Sequence, residues 1–178
     1  MPFLGQPLIQ RVISRMAALA DELIITTNRP QDYAFLNLPL FSDLRPGRGA
    51  LGGLYTALAS ANQALVATLA CDMPFANPDL LAFQARLLEA EGVDVVIPLL
   101  DEGYEPLHAV YRRATCQPAV AAAIDQDQWK LISWFPKVRV RALTAEECRR
   151  YDPLGLAFAN VNTPQEVTQA EAQAQRLG

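Results

Sequence analysis

Asp72 is the residue of this sequence best placed to do chemistry. It follows Leu65 to Ala70, an uncharged run that reads as a strand buried on both faces, and Met73-Pro74 then bars the strand from continuing. In open α/β sheets ligands sit beyond the carboxyl ends of the strands, so a carboxylate there is placed to hold a metal ion or a polar ligand. Asp72 reads equally as a cap for the next helix. Three other loops offer comparable groups: Asn28, Asp43 with the glycine-rich RPGRGALGG stretch behind it, and Asn160 with Asn162. Asparagine both donates and accepts, whereas aspartate only accepts, so such a set can read the edge of a base or a ribose. The glycines let backbone approach a ligand, and the N-terminus of the helix behind them favours an anion. Singly, Asn28 and Asn162 read as turn residues and the glycines as loop formers. Jointly, they point to a site if the strands before them are parallel and share one rim.

The elements that must position these groups are legible from periodicity. Gln6 to Ala20 spaces Leu8, Ile9, Val12, Ile13 and Met16 as one face of an amphipathic helix, with Gln10, Arg11 and Arg15 on the solvent side. Glu22 to Thr27 is a β-branched strand ending at Asn28, and a second short strand spans 39–42. The glycine loop, 45–53, is expected to feed a helix from Leu54 to Ala61. Asn77-Pro78 caps and starts a helix over 79–91 that Gly92 ends. Strands follow at 93–99 and 107–111, then helices at 115–125 and 129–134 and an alternating strand at 137–143. A TxxE capping box opens a helix over 144–150, Ala157 to Ala159 reads as a last strand, and Thr163-Pro164 starts the terminal helix. Alternating strands and helices imply an α/β sandwich with a mostly parallel sheet and right-handed crossovers.

Composition bounds the function. A chain of 178 residues with 51% hydrophobic and 19% charged residues fits one compact unit, residues 1–178. A net charge of −4 and a pI near 5.0 give no field to attract nucleic acid or an anionic membrane. Cys71, Cys116 and Cys148 lack CxxC spacing, which argues against a disulfide frame or a zinc site. The N-terminus lacks a signal-peptide layout, so a cytoplasmic location is expected.

The segments GQPLIQRVISRM, ITTNRPQDY, SDLRPGRGALGGLYTAL, LACDMPF, EPLHAVYRR and FANVNTPQEV run in order from near residue 4 to near residue 167. On these segments the chain resembles the MobA family of molybdenum cofactor guanylyltransferases, a branch of the Rossmann-like nucleotidyltransferases. EPLHAVY and NVNTP favour this branch over its cytidylyltransferase relatives. The resemblance implies a three-layer α/β sandwich and transfer of GMP from GTP to molybdopterin, with release of pyrophosphate. It implies that Asp72 binds Mg2+, that Asn28 and Asp43 contact guanosine, and that the glycine loop ending at Gly52 and Gly53 shapes the nucleotide pocket. His108, Asn160 and Asn162 would lie toward the pterin or the second phosphate; His108 reads equally as a packed strand residue. GTP and molybdopterin are then the small-molecule substrates, and a molybdoenzyme or cofactor-assembly protein is the macromolecular partner to expect.

The chain departs from the family at its start. Family members open with a strand and an LAGGxSxRMGxDK loop that wraps the triphosphate, and Met1-Pro2-Phe3-Leu4-Gly5 enters beyond both. Without that loop only Arg45, Arg48 and helix ends could meet the phosphates, so little activity is expected of the chain as it stands. The absent strand is central to the family's sheet, which implies two strands with unpaired edges, a slot between them and weak stability. A start codon assigned too late is the favoured explanation, ahead of a truncated paralogue or a fragment completed by another chain. The rival functions are a non-catalytic pterin- or nucleotide-binding module and a cytidylyltransferase or sugar-phosphate nucleotidyltransferase.

Overall fold

The computed structural model describes residues 2–177. A short antiparallel hairpin, β1 (Pro2–Phe3) and β2 (Gln6–Pro7), leads into helix α1 (Leu8–Met16). β3 (Ile25–Thr26) and β4 (Leu40–Phe41) pair in parallel, and α2 (Gly49–Ser60) follows. The main sheet is built from β5 (Leu65–Leu69), β6 (Val95–Leu100), β8 (His108–Arg112) and β9 (Val140–Leu143), in the order β5-β8-β6-β9. β7 (Gly103–Tyr104) folds back on the end of β6. Helices α3 (Pro78–Glu91), α4 (Arg113–Asp125), α5 (Ala145–Arg149) and α6 (Pro164–Leu177) complete the chain.

Period-two alternation divides the core between the two faces of the sheet. Val66, Val95, Ile97, Ala109 and Tyr111 point to one face, under α2, α4 and the buried Trp134. Val96, Val110 and Leu143 point to the other, where Leu80, Leu81 and Leu88 of α3 and Cys148 of α5 cover them. The result is the expected α/β sandwich, helices on both faces of a mixed sheet. Strand direction departs from the simple reading: β8 runs antiparallel to both β5 and β6. The turn through β7 reverses the chain after β6 without a crossover helix, and only a crossover forces parallel pairing.

Local chemistry explains the best-read helices. The Asn77 side chain accepts from Leu80 N–H, Pro78 opens α3, and Gly92 closes it at φ 63°. Thr144 and Glu147 form the reciprocal capping box of α5. Other expectations are corrected. α2 begins at Gly49, so Gly52 and Gly53 lie inside a helix rather than in the loop before it. Residues 129–134 are turns followed by a short 3-10 helix, Phe135–Lys137, because Trp134 is tied back by its indole N–H to Leu131 O. Residues 157–159 make no strand: the Ala157 N–H is taken by the Asp152 carboxylate, and Phe158 packs on His108. The early strands are shorter than expected, at two residues each.

β3 and β5 do not pair with each other. Between them lie two cavities of about 360 and 400 Å3. One is lined by Leu23 to Thr27 and Val66 to Leu69, the other by Asp21 to Ile24 and Gln63 to Ala67. The two strands therefore advance together, with their carboxyl ends on the same side.

Candidate active site

Asn28 and Asp43 form one half of the rim. Each follows one strand of the parallel β3/β4 pair, so the two loops leave the sheet side by side. The Asn28 side-chain N–H donates to Asp43 Oδ2 at 2.7 Å, and Asp43 N–H donates to Asn28 Oδ1 at 3.0 Å. This two-way bond fixes the amide's orientation and spends one oxygen of each side chain, leaving the other lone pairs to solvent or a ligand. Behind them, Thr56 of α2 accepts from Leu44 N–H at 3.0 Å while donating to Gly52 O at 2.8 Å, which holds the Asp43 loop against the first turn of the helix.

The glycines serve packing at that turn. A Cβ on Gly52 would stand 2.9 Å from Arg45 O and 3.1 Å from Arg48 Cβ, so only glycine lets the loop fold back on the helix. Gly53 faces the cavity beside β3, with Thr26 Oγ1 at 4.0 Å from a Cβ built there. The loop's arginines are engaged: Arg45 pairs with Asp125 at 3.2 Å, and Arg48 with Asp127 while lying 5.0 Å over the Trp129 ring.

Asp72 and the Asn160–Asn162 segment form the other half. Val161 N–H donates to Asp72 O at 2.9 Å, which joins the turn after β5 to the residues before α6 and leaves Asn160 and Asn162 exposed on either side. Glu166 accepts from the backbone N–H groups of Asn162 and Thr163 and fixes that segment from below. Asp72 Oδ1 is buried and has no hydrogen-bond partner among the described residues. Leaving a carboxylate oxygen so placed is costly unless something positive meets it, so its surroundings fit a cation. Among the described residues no three His, Cys, Asp or Glu side chains cluster as metal ligands. A cation at Asp72 would therefore be completed by oxygens from phosphates and water, as suits a hard ion such as Mg2+.

Cys71 and Thr27, the neighbours of Asp72 and Asn28, line one cavity, so the two halves of the rim face each other across the gap between β3 and β5. His108 begins β8 opposite Leu69 and is fully buried, with no atom open to a ligand. Its Nε2 accepts from Asn77 N–H at 3.2 Å, its ring meets Phe158 edge-on at 5.1 Å, and burial pushes its pKa down to about 4. The imidazole is therefore neutral near pH 7 and braces the Asp72 turn against the residues before Asn160. Sequence patterning misses two residues of the site: Arg11 and Arg15 of α1 donate from Nε to Pro74 O at 3.0 Å and Ala76 O at 2.7 Å. Arginines at i and i+4 on the polar face of α1 are a visible signal, but such a face reads as solvated until the Asp72 turn is found against it.

The α/β sandwich is that of the nucleotidyltransferases, with acidic and amide groups of this chain along one rim. The chain belongs to the MobA-like NTP transferase domain family, whose match covers residues 1–141. It is 34% identical over 168 residues to the molybdenum cofactor guanylyltransferase of Desulfosudis oleivorans, covering 94% of this chain and 82% of that one. It is 32% identical to a probable molybdenum cofactor guanylyltransferase of Peptoclostridium acidaminophilum, covering 91% and 75%. Molybdopterin-guanine dinucleotide biosynthesis protein A from Archaeoglobus fulgidus superposes with a TM-score of 0.84 at 25% identity, over 99% of this chain and 89% of the other. The 2-C-methyl-D-erythritol 4-phosphate cytidylyltransferase of Thermus thermophilus shares the fold, with a TM-score of 0.68 at 18% identity over 98% and 92% of the two chains. No helix among the described residues is long and apolar enough to cross a membrane.

Proposed function

We propose that this chain transfers GMP from GTP to molybdopterin, forming the guanine dinucleotide cofactor and releasing pyrophosphate. The names of its relatives at 30–34% identity support the reaction, and the unpartnered, buried Oδ1 of Asp72 at the strand-end rim is the observation that carries the site. In this reading a terminal phosphate oxygen of molybdopterin attacks the α-phosphorus of GTP, a new P–O bond forms, and the bond to the β-phosphate oxygen breaks. Such in-line transfer asks the protein for position and charge rather than for a nucleophilic side chain.

Asp72 would hold the divalent cation, with Mg2+ as the ion proposed, and the ion would offset negative charge on the phosphates. Asn28 and Asp43, locked together, would meet guanosine at the far side of the gap. Gly52 and Gly53 would shape that wall through the tight first turn of α2. Asn160 and Asn162 would face the pterin or its phosphate, and His108 would act on them through Phe158 and Asn77. The relatives' name favours GTP over CTP, although the cytidylyltransferase neighbour shares the fold.

Nucleotide-dependent thermal stabilisation tests the reading apart from turnover. GTP with Mg2+ is expected to raise the melting temperature more than CTP or ATP with Mg2+, and Asp72→Asn to lose the Mg2+-dependent part of the rise. With molybdopterin added, dinucleotide product is read by mass spectrometry, and little of it is expected from the chain as it stands, because Arg45 and Arg48 are spent on Asp125 and Asp127. Equal stabilisation by CTP, or an undiminished Mg2+ effect in Asp72→Asn, would sink it.

A further inference from the structure

The direction in which Asp72 aims its carboxylate is set by the backbone beneath it, because no donor among the described residues meets Oδ1. That backbone does not hold itself. Residues 72–77 belong to neither strand nor helix, Pro74 has no N–H to give, and the backbone bond internal to the turn runs from Ala76 N–H to Met73 O. Two further bonds come from outside: Val161 N–H to Asp72 O at 2.9 Å, and Asn77 N–H to His108 Nε2 at 3.2 Å. The carbonyls of Pro74 and Ala76 remain to be met, beside the buried side chains of Met73 and Phe75.

Both are taken by α1. Arg11 Nε donates to Pro74 O at 3.0 Å and Arg15 Nε to Ala76 O at 2.7 Å, from 63 and 61 residues away in the chain. Positions i and i+4 share one helix face about 6 Å apart, so the two bonds fasten the turn at two points along one line. Packing alone would not select this residue type. Val12 and Met16, one position further on, are buried and apolar, whereas the Arg11 guanidinium lies over the rings of Phe3 and Phe75 at 4.9 and 5.9 Å. Burial and the neighbouring Arg15 charge both push the Arg11 pKa down, and neither arginine pairs with a carboxylate among the described residues. Unpaired like charges one turn apart disfavour a helix, so their gain has to lie in the two carbonyls that they touch.

We propose that Arg11 and Arg15 are positioning residues for Asp72: by holding the Pro74 and Ala76 carbonyls they fix the turn in the shape that leaves its carboxylate open to a divalent cation. Their role rests on the guanylyl-transfer reading, which supplies that cation. Each bond is made by a single Nε–H rather than by both prongs of the guanidinium, so lysine can take it over and methionine, of similar length, cannot.

Mn2+ titrated into the isotopically labelled full chain tests it, because a paramagnetic ion broadens the amide resonances nearest to where it binds. In the parent chain broadening is expected around Asp72, and Asp72→Asn should remove it. Arg11→Met with Arg15→Met should weaken Mn2+ binding there roughly tenfold, the size usual for residues that orient a metal ligand, whereas Arg11→Lys with Arg15→Lys should restore most of the affinity. Hydrogen exchange separates positioning from general stability: the Val161 and Asn77 amides should exchange faster in the methionine variant, and those of β6 and β8 should not. Unchanged Mn2+ affinity in the methionine variant overturns the proposal. So does faster exchange in β6 and β8 as well, which would mean general loosening, or equal loss in the lysine and methionine variants, which would mean that only the packing of the guanidinium matters. If broadening survives Asp72→Asn, the cation site itself is misread and the positioning role falls with it; undiminished Mn2+ binding at Asp72 in the methionine variant sinks the positioning role alone.

Discussion

β5, β8, β6 and β9 form a continuous ladder whose inner residues Val95, Val96, Ile97 and Tyr111 are completely buried between two helical layers. β3 has the same apolar, β-branched character, yet it pairs with β4 over two residues only, and Ile24, Ile25 and Leu23 line a cavity. The difference is not composition. The inner strands β8 and β6 have neighbours on both edges and helices on both faces, whereas β3 lacks a partner on one edge among the described residues, and its apolar side chains face space. Burial, not β propensity, fixes how long and how firm a strand becomes.

Paired substitutions test whether the two halves differ in packing. Ile97→Ala leaves a cavity in a site that cannot collapse and should cost about 3 kcal/mol, whereas Ile25→Ala should cost less than about 1 kcal/mol because its side chain already borders empty space. Urea unfolding of both variants decides it; equal losses would mean that the two halves are equally well packed. His108 gives a second contrast, since the closed half holds it neutral. Above pH 6.5 neither state binds the proton, and between pH 6.5 and about 4 only the unfolded chain does. Stability should therefore fall as pH drops through that window, by about 3 kcal/mol in full, and level off below it. His108→Gln, which keeps an acceptor for Asn77, should flatten this slope in unfolding curves taken at pH 7 and pH 4.5.

The smallest effect is expected at the first turn of α2, where the packed and open sides meet. Gly52→Ala forces Arg45 O and Arg48 away and should destabilise by about 1–2 kcal/mol. Gly53→Ala, one position on and facing the open side, should instead stabilise by about 0.5–1 kcal/mol through helix propensity. Opposite signs in thermal melts are the expected result, and two losses would show that the gap is narrower than its lining implies.

Features decided by neighbours in sequence are legible from the residues alone. Asn77, Pro78 and Gly92 bound α3 because caps act within one turn, and Thr144 with Glu147 does the same for α5. The strand-end placement of Asn28, Asp43 and Asp72 is legible because apolar runs stop there. Features decided by distant contacts are not. The direction of β8 depends on how the chain returns after β6, and its residues carry no mark of it. Glycines at 49, 52 and 53 look like a loop, yet close approach of Arg45 and Arg48 makes them a helical turn. Ala157 to Ala159 have strand composition but are claimed by Asp152 and His108 first.

Arg11 and Arg15 have a mechanical consequence. The helix that carries them roofs the open gap through Val12, Ile13 and Met16, while their guanidinium groups grip two carbonyls just past Asp72. Anything that lifts or lowers that roof must drag the acidic turn with it, so the fullness of the gap and the posture of the carboxylate form a single lever with α1 as its arm.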